Sequence, residues 1–223
     1  MMWALALTLL VWTGAVWLAR FGRGWVNPVL VSTIVIVVVL LVTRAPLAEY
    51  QEGTLPLTAL LAPAIVALAL PIRRHGRELG RLLPALLVAG LVGTIVGIAA
   101  TALVAWLLDV PHDILLTLAP KHATSAVSAA VAGVLGVDVS LAAVFSILTG
   151  ILGAVAGPPL LRLLRRRDPV SQGLAIGLSA HAIGTARAME LGRTTGASSA
   201  LGLALAALFV PVAMLIASLL GWL

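Results

Sequence analysis

The sequence predicts an all-α polytopic membrane protein, with about six full transmembrane helices and two broken or re-entrant helical segments. Three observations predict it. Of the 223 residues, 61% are hydrophobic and only 10% are charged, where a soluble domain carries roughly 25% charge. Apolar runs of about 17–25 residues recur, the length needed to cross a hydrocarbon core of about 30 Å. Two further apolar stretches carry polar clusters, "TLAPKHATSAVSAA" at 117–130 and "LSAHAIGTARAMELGR" at 178–193.

The six spans are expected at residues 3–19, 26–43, 55–72, 83–107, 139–161 and 197–221. The first lacks a basic leader and its apolar run is long, so it reads as a retained, accessory span rather than a cleaved signal. Asn27-Pro28 opens the second span, with Asn27 as the expected helix cap. Pro158 and Pro159 end the fifth before a basic loop. The stretches between spans are short, so residues 1–223 read as one membrane domain with a core at 109–221.

The apolar segments 113–136 and 169–195 need a separate argument. Basic loops favour the cytoplasm, and acidic ones count for little. Arg20 and Arg23 follow the first span, and Arg73, Arg74, Arg77 and Arg81 follow the third. Glu49 and Glu52 follow the second, and Asp109 and Asp113 follow the fourth. The alternation is clean to that point. If 113–136 crossed, Arg162, Arg165, Arg166 and Arg167 would fall on the wrong face. If it enters and returns on one side, they join the other basic loops. Two half-helices of about ten residues reach about 15 Å, the bilayer midplane. Pro120 is the expected break, because proline lacks a backbone donor and clashes with the preceding turn.

Segment 169–195 is expected to be a second hairpin, entering from the basic side and broken near Gly184. Parity does not decide this, because the closing "GWL" carries no charge. The support is an internal similarity that aligns Thr124 with Thr185 and Phe145 with Phe209. Two hairpin-plus-span units of opposite entry make an inverted repeat, a plan that places transporter sites at the midplane. A direct repeat pairing the "LAP" of 61–63 with that of 118–120 matches about as well.

A charge at the bilayer centre costs about 2.5–3.5 kcal/mol even on the lenient insertion scale. Lys121 and Arg187 are therefore expensive unless a cavity or a partner receives them. One reading makes them ligands of a small organic anion, with Thr124, Ser125, Gly184, Thr185 and the half-helix N-termini completing the site. The other pairs Arg187 with Glu190 three residues on and lets Lys121 snorkel to the surface. His122 and His181 flank the expected breaks and, with Glu190, are candidates for proton coupling. A histidine held by hydrogen bonds in a helix interface is the equal alternative.

Several classes are excluded. The net charge of +6 sits in bursts between apolar runs and not on an aromatic-laced face, which argues against nucleic acid. There are no cysteines for disulfides or thiol chemistry. The four histidines lack metal-ligand spacing, and no nucleophile elbow or phosphate loop is present. Neither enzymatic activity nor a cofactor is expected.

"LTLAPKHATSAV", residues 141–192 and "LAPAIVALALPI" of 61–72 resemble the LrgB/CidB family. These are antiholin-like bacterial membrane proteins, related to the LrgB-like half of the plastidial glycolate/glycerate transporter. The resemblance covers about residues 26–220 and is most specific over 141–192. Lys121, Thr124, His181, Gly184, Thr185, Arg187 and Glu190 match the family pattern. His122, Ala123 and Ala126 depart from it, since the family typically has Ser-Val at the first two places and a second proline at the third.

The resemblance implies a multi-pass protein of the bacterial cytoplasmic membrane that works with a small LrgA/CidA-like membrane protein; a homo-oligomer is a further candidate assembly. It implies one of two functions. The first is secondary transport of small monocarboxylates such as pyruvate, glycolate or glycerate. The second is holin-like control of murein hydrolase activity and autolysis, with no specific small ligand.

Overall fold

A computed structural model describes residues 2–21 and 26–221. Arg23 of the first basic loop and residues 222–223 lie outside them. Among the described residues every regular element is helical. Among them, five stretches are long and apolar enough to span a membrane: Met2–Phe21, Leu55–Arg74, Gly76–Leu107, Val139–Leu163 and Arg193–Leu219. The expected sixth span appears as the shorter apolar helix Pro28–Thr43. Its 16 residues extend about 24 Å. Asn27 starts it, its side chain accepting from the N–H of Val29 and Leu30, and Arg44 ends it in a left-handed conformation.

The chain divides into two compact units, Met1–Leu68 and Ala69–Leu223. In the first, α1 (Met2–Phe21) and α2 (Pro28–Thr43) precede three short helices, α3 (Leu47–Gly53), α4 (Leu55–Ala59) and α5 (Leu61–Ala67). Tyr50 of α3 anchors to α1, with its hydroxyl 2.8 Å from Thr8 Oγ1 and its ring 6.2 Å from that of Trp3.

The second unit holds α6 (Ala69–Arg74), α7 (Gly76–Leu107), α8 (His112–Leu118), a 3-10 turn at Ala119–His122, α9 (Ser125–Leu135), α10 (Val139–Leu163), α11 (Pro169–Leu191) and α12 (Arg193–Leu219). Its directions follow from which residues meet. α12 runs alongside α7: Ala197 shares an apolar cluster with Leu79, while Leu205 and Phe209 reach Gly90. The start of α11 runs the same way, with Val170 in the Leu79 cluster and Leu178 against Gly93. α10 runs opposite: Gly150, Gly153 and Gly157 meet His181, Ala180 and Ile176 in turn. The starts of α7, α11 and α12 and the end of α10 therefore share one end of this unit. Arg74, Arg77, Arg81, Arg162, Arg165, Arg166, Arg167 and Arg193 lie there. Asp109, Asp113 and Asp138 lie at the other.

Both interrupted segments turn back. α8 leaves the acidic end just after α7, and α9 returns to it before α10 begins, through Gly136 at φ 72° and the cap Asp138. At the tip, Ser128 Oγ donates to the carbonyl of Pro120 at 2.7 Å across eight residues. Eight residues of unbroken helix span about 12 Å. The break falls at Ala123 (φ −88°, ψ 176°), three residues beyond the expected Pro120. Pro120 instead sits inside the 3-10 turn, and Thr124 starts α9 by accepting from Val127 N.

α11 is likewise two arms, 169–180 and 182–191, folded together at His181 (φ 39°, ψ −131°). The expected break at Gly184 is thus corrected by three residues. Gly184 serves the fold differently: a Cβ there would lie 2.4 Å from Ala180 Cβ and 2.9 Å from Ile176 Cγ2. Its bare backbone lets the returning arm pack on the first. The first arm lies against α12 just as closely, since a Cβ on Gly177 would sit 2.1 Å from the carbonyl oxygen of Ser199. Beyond α6 and α7, the unit is therefore two hairpin-plus-helix pairs entered from opposite ends. The expected alignment of Thr124 with Thr185 is out of register: Thr124 follows its break by one residue and Thr185 follows its break by four.

Candidate functional site

The two tips meet on α10 at Ser146. Ser146 Oγ donates to the carbonyl of Ala123 at 2.6 Å. His181 Nε2 lies 2.8 Å from the carbonyl of Ser146 and 3.3 Å from its hydroxyl. A carbonyl only accepts, so the ring carries its proton on Nε2 in this contact. Ser146 and His181 are both buried. A non-glycine residue at positive φ costs about 1–3 kcal/mol and persists when its surroundings hold it. Here the holding contact is the bond to Ser146, and Gly150 makes room for the ring: a Cβ there would lie 2.4 Å from His181 Cε1.

The first tip turns its polar side chains toward α7. Lys121 Nζ donates to Thr101 Oγ1 at 2.5 Å. Thr101 Oγ1 donates to the Gly97 carbonyl at 2.9 Å, and His122 Nε2 lies 3.4 Å from the same hydroxyl. His122 rests on Gly97, where a Cβ would come within 2.9 Å of Nε2. Thr101 is buried, while Lys121 and His122 are half-buried. The result is a cationic head held beside a hydroxyl and an imidazole, open on one side.

Two clefts reach this cluster. One of about 810 Å³ runs from Asp168 and Ser171 at the basic end, between α7 and the first arm of α11, to His122. The other, of about 430 Å³, runs from Leu108 and Val110 at the acidic end to Lys121 and His122. Gly97, Ala100 and His122 line both.

Outside the membrane-spanning segments, Asp168 caps α11. Its Oδ2 accepts from Ser171 N at 2.7 Å. Hydrogen bonds from the side chain and backbone of Ser171 hold its carboxyl below the usual carboxylate range.

The other expected site residues are placed differently. Arg187 pairs with Glu190 on the returning arm of α11, with the two side chains 30% and 59% exposed, and lines neither cleft. This is the internal pairing that the three-residue spacing offered, and Lys121 and Arg187 share neither of these two clefts. Thr185 is buried with its hydroxyl 2.9 Å from Ser199 Oγ, joining α11 to α12. Thr124 and Ser125 open α9 at the first tip, and Gly184 is a packing contact. His181 lies at a break as expected, but it is bonded to α10 and faces neither cleft. Two residues that hold the first tip carry no mark in the sequence, Thr101 and Ser146. Each is a single small hydroxyl inside an apolar span, with no charge or spacing to mark it.

The LrgB-like family model matches residues 8–220. The chain is 34% identical to Bacillus subtilis YwbG, an uncharacterized protein, over 92% of each chain. It is 29% identical to the "Holin-like protein CidB" of Staphylococcus epidermidis and 28% identical to that of Staphylococcus aureus, over 88% of each chain. No solved structure matches. With the family model covering nearly the whole of a helical, membrane-spanning chain, the protein belongs to the LrgB-like family.

Proposed function

We propose that this protein is a secondary carrier of small monocarboxylates, of the pyruvate, glycolate or glycerate type, acting with an LrgA-like partner in the bacterial cytoplasmic membrane. The observation that carries the reading is the meeting of two re-entrant tips, entered from opposite ends, beside a half-buried lysine. The positive-inside bias puts the arginine-rich end in the cytoplasm. Lys121 is the ligand of the carboxylate, exchanging its bond to Thr101 for one to the anion. The N-terminus of α9 at Thr124 and Ser125 adds partial positive charge. His122, on the same hydroxyl, is the nearest group able to carry a coupled proton. His181 joins the tips, and Arg187 with Glu190 and Thr185 with Ser199 hold the second hairpin.

The test is uptake of radiolabelled pyruvate and glycolate into proteoliposomes holding this protein and its LrgA-like partner. Uptake that Lys121→Ala abolishes supports the reading. Uptake no greater than in empty vesicles across several short acids refutes it. The alternative, a holin-like regulator of lysis that binds nothing small, draws on the printed name of the staphylococcal relatives. It predicts dye release that follows oligomer size and is indifferent to Lys121→Ala.

A further inference from the structure

We infer that the solute path follows one face of α7 as two half-channels, separated by His122 lying on Gly97, and that the anion is held on the acidic-end side of that partition. The inference rests on the carrier reading only for the identity of what passes. The geometry stands apart from it. The basic-end cleft and the acidic-end cleft extend along α7 toward opposite ends of the second unit, and Gly97, Ala100 and His122 are common to both. Ser179, on the first arm of α11, belongs only to the basic-end cleft, and Lys121 only to the acidic-end one. The imidazole packed on Gly97 occupies the place where the clefts would join.

A Cβ on Gly97 would press within 2.9–3.3 Å of the His122 ring, so the glycine sets how closely the ring closes on α7. Beside Gly97, the ring also meets the Thr101 hydroxyl at 3.4 Å, long for a hydrogen bond. Thr101 also receives Lys121 at 2.5 Å. An anion that draws Lys121 off Thr101 changes the hydroxyl that holds the partition. Occupancy on one side is thereby coupled to the barrier between the sides.

The protein has no cysteine, so single cysteines report without background. Ser179→Cys, Ala100→Cys and Val104→Cys sample the basic-end cleft, the junction and the acidic-end cleft. Val92→Cys and Leu103→Cys are exposed α7 positions outside both clefts and serve as lipid-facing controls. Each variant is reconstituted with its partner and treated with a membrane-impermeant thiol reagent added from one side at a time.

The expected result is Ser179→Cys labelled at least tenfold faster from the basic side and Val104→Cys at least tenfold faster from the other. The controls should stay at least tenfold slower than both. His122→Ala should make Val104→Cys reactive from both sides. Cleft cysteines no faster than the controls, or both reactive from one side only, overturn the inference. So does a His122→Ala background that leaves Val104→Cys one-sided. Labelling requires no transported acid, so the two readings fail separately. Sidedness without uptake upholds the path and sinks the monocarboxylate assignment, whereas uptake without sidedness upholds the carrier and moves its path elsewhere.

Discussion

His181 and Ser146 are joined at 2.8 Å, ring nitrogen to backbone carbonyl, and through that bond the second hairpin rests on the residue that also holds the first. Ser146 Oγ reaches Ala123 at the first break, and its carbonyl receives His181 at the second. A single helical residue thus fixes the depth of both tips. A shift of α10 along its axis moves both contacts together, which gives the opposed hairpins a common reference.

Ser146→Ala removes the hydroxyl and leaves the Ala123 carbonyl buried without that donor. The expected loss is about 1–3 kcal/mol, the cost of an unsatisfied buried group. Thermal unfolding in detergent, followed by tryptophan fluorescence, measures it. Ser146→Thr keeps a hydroxyl and is expected to lose less. Equal losses would show that packing and not the hydrogen bond matters at this position.

Gly153→Ala tests the contact between α10 and the second hairpin. The added methyl would lie 2.5 Å from Ala180 Cβ, which has no rotamer to yield. Overpacking of this kind costs about 1–3 kcal/mol. Gly14→Ala, in open space on α1, should cost nothing measurable or slightly stabilise. A Gly153→Ala melting temperature equal to that of Gly14→Ala would contradict the packing described.

Lys121→Met and Arg187→Ala separate the two cations that looked equivalent in the sequence. Lys121→Met is expected to reduce uptake of short acids at least tenfold with little change in melting temperature. Arg187→Ala breaks a partly exposed ion pair, worth about 0–1 kcal/mol, and should leave uptake within about threefold of the parent. If Arg187→Ala abolishes uptake and Lys121→Met does not, the site lies on the returning arm of α11 and not against α7.

Asp168 gives a pH dependence whose sign is fixed. Its hydrogen bonds to Ser171 lower the carboxyl's pKa in the folded chain. A depressed folded pKa contributes stability that is present above the unfolded value and is lost as pH falls through the folded one. Melting temperature should therefore fall more steeply in acid for the parent than for Asp168→Asn, which keeps a cap without the titration. Parallel acid limbs for the two proteins would show that the cap contributes no such term.

Much of this architecture is legible in the sequence because the bilayer constrains it. Arginine placement forces 113–136 to return on one side, and the arginines of α7, α10 and α12 do share one end. Each tip lies within a few residues of its expected place, but the breaks are displaced to Ala123 and His181. Proline tolerates the 3-10 turn at Pro120, so the chain breaks only where Thr124 caps the next helix. Gly184 marked close packing and not the bend, which His181 adopts because α10 receives its ring. That Lys121 and Arg187 take different partners is not legible from spacing. A charge in an apolar run announces that it needs a partner, not which partner. Glu190 on the next turn satisfies Arg187, and Thr101, a neutral residue with no distinguishing context, receives Lys121.

The most direct test of the central claim is the sidedness of the chain just before and just after the first hairpin. Val110→Cys and Val137→Cys, each single and each in the reconstituted protein, are labelled with an impermeant reagent from either face. The account predicts that both react from the same face, and that Arg165→Cys in the loop after α10 reacts from the opposite one. Reaction of Val110→Cys and Val137→Cys from different faces would make 113–136 a crossing helix, and the two tips could no longer enter from opposite ends.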